Sequence, residues 1–351
     1  MKKRQSNLEL LRIVAMLAIV AHHYVVNSDV MDLFDYSDVN NNMIFLQLWS
    51  AWGKMAINCF VLISGYFMCT SKLTLKRYLK VYLTAKSYTI IIFFILAIAG
   101  IQVVSFRSIH KLVFGYLLRA DIGFTGSFLV FYLFIPFYNF LVEKMDKMQH
   151  GKLVLMLLFF YSVVPTFFSN EAMTDPIIWY MTLYFVSAYI RLYPAVWMKN
   201  NRFCGGLLVI SLIATIVCIL VDDFEGEEYY GYYLVGDANM VLAFLVGLFA
   251  FLFFNNLKLG YNKLINGVAA TTFGVLCIHA NSDAMRTLIW KNILDVSSEY
   301  DDSLAGLIVH AGLSLIGVFI ICSLIDMLRI YFIEKPLLGW IEKKRCARNY
   351  E

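Results

Sequence analysis

The sequence predicts an all-α integral membrane protein, a bundle of about ten transmembrane helices with both termini cytoplasmic. Three observations carry this. Of 351 residues, 60% are apolar and only 15% charged, where a soluble domain is about a quarter charged. The apolar residues gather in runs near the roughly 20 residues that a helix needs to cross a bilayer. The basic residues alternate from loop to loop between those runs, as the positive-inside rule requires. The same composition excludes disordered, collagen-like, coiled-coil and disulfide-scaffold classes.

The runs lie near 8–28, 44–69, 81–104, 127–142, 152–168, 176–193, 204–221, 234–254, 266–290 and 304–333. The first follows Met1-Lys2-Lys3-Arg4, a start like that of a signal peptide. No small-residue cleavage site follows, and Arg12, His22 and His23 interrupt the run, so it is expected to remain as a helix. The N-terminus and the loops after the even-numbered runs hold twenty basic residues, among them Lys72, Lys76, Arg77 and Lys80. The remaining loops hold five, Arg107, Lys111, Arg119, Arg286 and Lys291, together with acidic clusters at 29–38, 222–228 and 295–302. The first side is therefore expected in the cytoplasm. The segment 105–126 has two readings: a short amphipathic helix at the outer interface, or a loop whose aromatics sit at headgroup level. No repeat, linker or long polar stretch divides the chain, which predicts a single transmembrane domain over 1–351. The seven cysteines form no Cys-x-x-Cys pair and read as small core hydrophobes, with no metal site. The net charge of +4 is the residue of this topology signal and is no evidence for a nucleic-acid partner; the apolar composition predicts a lipid bilayer as the partner.

An ionisable group inside a span is costly and marks a candidate site. In the first run Arg12 and His23 stand eleven residues apart. On a helix that spacing is three turns plus about 20°, so both share one face about 16 Å apart along the axis. His22 points about 80° to the other side of Arg12. The second run closes with Ser64-Gly65, a small-residue step that lets a helix or ligand approach closely. In the basic loop that follows, Arg77 and Lys80 are three residues apart and can face one way, which suits a phosphate-bearing ligand as well as it suits the topology signal. His279 lies in the otherwise apolar ninth run and needs a partner in the bundle, whether catalytic or structural. Glu334, ahead of Lys335-Pro336, can pair Arg329, Lys335 or a cation from another helix. There is no Gly-rich phosphate loop, no metal-spaced His/Cys set and no Gly-x-Ser-x-Gly elbow.

Leu11-Arg12 followed by His23, Phe60 leading to Ser64-Gly65-Tyr66, Arg77-x-x-Lys80, Thr272-Phe273-Gly274-Val275 leading to Ile278-His279, and Glu334-Lys335-Pro336 together resemble the acyltransferase 3 family over essentially the whole chain. The resemblance is closest to stand-alone members from exopolysaccharide or capsule loci. It implies a ten-helix bacterial inner (plasma) membrane enzyme that O-acylates surface glycans. It implies an acetyl-CoA co-substrate, no bound cofactor and a glycan acceptor, and leaves the oligomeric state open. On that resemblance, His23 is the essential histidine, Arg12 its arginine partner, and Arg77 and Lys80 the basic pair, with Lys in the second place. Acetyl-CoA would dock from the cytoplasm on Arg77 and Lys80, with Arg12 as a further candidate for its phosphates, and His23 would act as general base or carry the acyl group. Many relatives open the fourth span with Trp-Phe-Leu, where this chain has Gly126-Ser127-Phe128-Leu129. An aromatic able to stack on a sugar is therefore not expected there. Two other classes fit ten spans with buried cations: a transporter or flippase for a lipid-linked glycan or small solute, and a non-catalytic scaffold. The first would show half-repeats and Gly/Pro-broken helices, which the sequence does not display; the second would have no need of His23.

Overall fold

The computed structural model describes residues 5–115, 123–168, 174–225 and 234–336. Among them the regular elements are all helical. In chain order they are α1 (Ser6–Val26), α2 (Asn41–Ser50), α3 (Trp52–Met68), α4 (Leu75–Ile98), α5 (Phe106–Phe114), α6 (Gly123–Lys144), α7 (Lys147–Leu158) and α8 (Val164–Phe168). They continue as α9 (Pro176–Leu192), α10 (Asn201–Glu225), α11 (Val241–Asn256), α12 (Lys263–Ala269), α13 (Thr272–His279), α14 (Asp283–Arg286) and α15 (Leu304–Arg329).

Six helical units are long and apolar enough to cross a membrane: Ser6–Val26, Leu75–Ile98, Gly123–Lys144, Lys147–Phe168, Asn201–Val221 and Leu304–Glu334. A seventh is formed if Lys263–His279 and Asp283–Ile293 count together. α11 is apolar but only 16 residues long, and α3 and α9 have 17 each. Two of the expected runs are not single helices. The run 44–69 divides at Ala51 into α2 and α3. The run 266–290 bends by 99° after His279. The cause of the second break is local. Ser282 is extended, and its hydroxyl accepts the N–H of Met285 at 3.3 Å, which starts a new helix in a new direction. An apolar count does not register such a cap. In 105–126, α5 does form, opened by a reciprocal Ser105/Ser108 capping box; 116–122 lies outside the described residues.

α1 runs through the middle of the bundle, against α3, α11, α12 and α15, and α3 packs in turn on α9 and α11. Leu8, Leu11, Met16, Val20 and Tyr24 are buried along α1. In contrast, Ile91, Phe94, Ile95 and Ile98 of α4, Val209, Ile210, Ile213 and Val217 of α10, and Ile316, Ile320, Leu324 and Leu328 of α15 are exposed. Apolar faces this extensive are unfavourable in water, at about 25 cal/mol per Å², and suit lipid. The chain is a multi-pass membrane protein.

In a membrane interior, buried polar groups must satisfy one another. Asn58, fully buried in α3, donates to the carbonyls of Ala238 (2.7 Å) and Ala243 (3.1 Å) and accepts the indole N–H of Trp179 (2.9 Å). At one end of the bundle Asn7 donates to the carbonyls of Phe254 (3.0 Å) and Asn255 (3.1 Å), which joins the start of α1 to the end of α11. At the other end Tyr24 meets Nδ1 of His310 in α15 at 2.8 Å, so α1 and α15 run antiparallel. The starts of α1 and α4 and the end of α15 share one end of the bundle; the close of α1, with His22 and His23, lies at the other.

Candidate active site

The last turn of α1 carries His22 and His23 into a cavity of about 630 Å³. α13 ends on the fully buried His279, and the Ala280–Ser282 bend places this ring beside them. Nδ1 of His23 lies 2.9 Å from Nε2 of His279, and Nδ1 of His279 lies 2.7 Å from the carbonyl of Val275. A carbonyl only accepts, so His279 carries its proton on Nδ1, and as a neutral ring presents a lone pair at Nε2. His23 must then donate from Nδ1. Its Nε2 is left unprotonated, on the residue that lines the cavity. The backbone of Val275 therefore fixes the tautomer of His23 through one intervening ring, the role that an orienting third group has in a nucleophile–base pair. His22 donates from Nδ1 to the carbonyl of Ser50 at 2.9 Å.

α1 and α3 approach so closely here that a Cβ on Gly53 would stand 2.2 Å from Cβ of His22. Only glycine permits this crossing, and the crossing brings Lys54 and Ile57 of α3 to the cavity wall. α4 adds Lys86, Thr89 and Phe93, and α5 covers one side with Ser108, Lys111 and Leu112. Phe124 of α6 also lines the cavity, so an aromatic does stand near the opening of the fourth run, one turn before Ser127.

The remaining predicted residues fall elsewhere. Arg12 is on the same helix as His23, about 16 Å away along the axis, and its guanidinium pairs with Glu9 at 3.0 Å. Arg77 is exposed and donates to the carbonyl of Lys72 at 3.1 Å. Lys80 pairs with Glu334 at 2.5 Å, and Glu334 also holds Arg329 at 3.0 Å. Arg329 continues to the buried Asp326 at 2.6 Å, which accepts from Tyr88 at 2.6 Å. Glu334 is thus the centre of an ion network that ties the start of α4 to the end of α15. Ser64 donates to the carbonyl of Phe60 at 2.8 Å. At Gly65 a Cβ would meet Oγ of Ser187 at 2.3 Å, so the Ser-Gly step seats α9 against α3. The structure therefore unites His23 with His279, and Lys80 with Glu334, at opposite ends.

Two cavity residues escaped the sequence reading, Lys54 and Lys86. Both are cations inside expected runs, and the rule that singled out Arg12 finds them too.

The model of a known family, described as an acyltransferase domain, matches residues 5–327. The chain belongs to the acyltransferase 3 family. No curated protein and no solved structure matches it. Membership in the acyltransferase 3 family makes this a membrane acyltransferase, and among the described residues His23 and His279 form a hydrogen-bonded imidazole pair at the cavity.

Proposed function

We propose that the protein transfers an acetyl group from acetyl-CoA, bound at the Arg12/Arg77 end, to a hydroxyl of a cell-surface or lipid-linked polysaccharide bound in the His23 cavity. The observation that carries the reading is the unprotonated Nε2 of His23, fixed by His279 at a cavity wall. In the transfer, Nε2 takes the proton of the acceptor hydroxyl while its oxygen attacks the thioester carbonyl. The tetrahedral centre collapses as the C–S bond breaks, and the proton on Nε2 passes to the departing thiolate of CoA. His279 accepts a hydrogen bond from His23 throughout and so supports the transient imidazolium. Exposed Arg77 supplies charge for the CoA phosphates, for which arginine's fork is well matched, and half-buried Arg12 adds less because Glu9 pairs with it at 3.0 Å. Lys80 is partly neutralised by Glu334 and contributes less. The rise from Arg12 to His23, about 16 Å, suits the pantetheine arm. Ten passes, with α3, α9, α11 and the bent α12–α14 segment crossing beside the six long helices, would put both termini in the cytoplasm and the His23 cavity on the outer side of the plasma membrane.

The test is acetylation of glycan, together with acetyl-CoA hydrolysis by purified protein, for wild type, His23→Ala and His22→Ala. Loss of a general base lowers the rate by about 10²- to 10⁴-fold, expected for His23 alone. Equal tolerance of both substitutions would sink the proposal. Among the described residues, the 99° break after His279 favours a transporter, since broken helices build such sites. Glycan translocation by a preparation that does not cleave acetyl-CoA would establish that reading instead.

A further inference from the structure

We infer that the His23 cavity selects an acceptor that carries negative charge, a carboxylate on its sugars or the phosphate of a lipid carrier. This rests on the proposal that the cavity is the acceptor side of the acyltransferase. Four cationic side chains line it, Lys54, Lys86, Lys111 and Arg286, against a single described carboxylate, Asp283. They arrive from four elements, α3, α4, α5 and α14, and their convergence is a property of the fold, which no one segment encodes.

The described charges leave an excess of positive charge. Asp283, 81% exposed, lies 3.0 Å from Arg286 and 4.0 Å from Lys111, so one carboxylate serves two cations. Nε of Arg286 is buried with no hydrogen-bond partner among the described residues. Lys54 pairs at 3.3 Å with Asp237, which does not line the cavity. Lys86 donates to the carbonyls of Leu112 and Val113, which anchors it beneath α5. Cations gathered in a low-dielectric site repel one another and are retained where they have work to do. A neutral sugar offers hydroxyls that amides and carboxylates serve as well. An anion gains charge-assisted hydrogen bonds from the lysines and the guanidinium, while Phe124 and Phe93 offer apolar walls to a sugar ring.

The donor's phosphates are the competing source of negative charge, and the experiment separates the two. Full-length protein in phosphatidylcholine nanodiscs is titrated calorimetrically with trigalacturonate and with its carboxyl-reduced trisaccharide. Farnesyl diphosphate against farnesol forms the lipid-phosphate arm. At least one anionic probe is expected to bind about tenfold or more tightly than its neutral counterpart, with an advantage that shrinks as salt is raised. Lys111→Gln, on the exposed face of α5, and Arg286→Gln should each erase most of that advantage. Coenzyme A at saturation should not displace the probe. Equal affinity for charged and neutral probes, no binding of either, or competitive displacement by coenzyme A would overturn the inference. The acyltransferase proposal is judged separately, by the dependence of acetyl-CoA hydrolysis on His23.

Discussion

Two imidazoles in series act as one base only while each ring keeps its tautomer, and here a backbone carbonyl sets both. In the proposed reaction that makes His279 a positioning residue with a chemical signature. His279→Leu keeps most of the volume but offers Nδ1 of His23 no acceptor, so His23 is free to turn or to place its proton on Nε2. A fall in kcat on the order of 10²-fold is expected, within the range that a general base contributes. His279→Gln puts an amide oxygen near the position of the lost ring nitrogen and should recover much of the rate. If Leu and Gln behave alike, His279 is there for packing. His23 was legible in the sequence because an ionisable residue in an apolar helix is conspicuous, and Arg12 gave the face it occupies. The partnership with His279 was not, because 256 residues separate the two rings and no periodicity links α1 to α13. Lys80 and Glu334 were similarly open to several pairings until α4 and α15 were seen side by side.

At the scale of elements, helix crossings in a membrane are set by small residues and satisfied polar groups, and these make separable predictions. A methyl on Gly53 must displace α1 or turn His22, since it would overlap Cβ of that ring. Gly53→Ala is expected to cost about 1–3 kcal/mol, as overpacking does, and to lower activity by misplacing the adjacent His23. Gly206, on α10, has nothing within 4 Å of an added Cβ. Gly206→Ala should leave activity unchanged and raise stability by up to about 1 kcal/mol through helix propensity. Thermal unfolding in detergent with parallel rate measurements compares the two. Asn58→Leu strips the partners from two carbonyls and from the Trp179 indole at once; a loss of at least about 1–3 kcal/mol is expected, against little change for Asn41→Leu at the exposed start of α2. The long helices were legible as hydropathic runs, because α4, α6, α10 and α15 each keep an apolar face outward. The division at Ala51 and the bend at Ser282 were not: the bend depends on the Ser282 cap, on which hydropathy is silent, and the division falls inside a continuous apolar run with no side-chain cap to mark it.

At the scale of the molecule, the two ends are chemically unlike. One gathers Arg12, Arg77, Lys80, Arg329 and the ion network on Glu334; the other holds the histidines and the cavity. A donor that enters one end and an acceptor at the other would meet across the bundle, and α4 spans the distance between them. Its flanks therefore decide the direction of the reaction. Ser71 precedes α4 at the end bearing Arg77 and Lys80, and Ser105 follows it at the cap of α5, beside the cavity. In a background whose seven cysteines are replaced by alanine, Ser105→Cys in intact cells should react with a membrane-impermeant maleimide. Ser71→Cys should react only after the membrane is opened. This outcome puts the basic end in the cytoplasm, as the loop charges require, where acetyl-CoA is made. The reverse pattern would turn the His23 cavity toward the cytoplasm, move the cationic wall of Lys54, Lys111 and Arg286 within reach of CoA, and exchange the donor and acceptor ends of the proposed reaction.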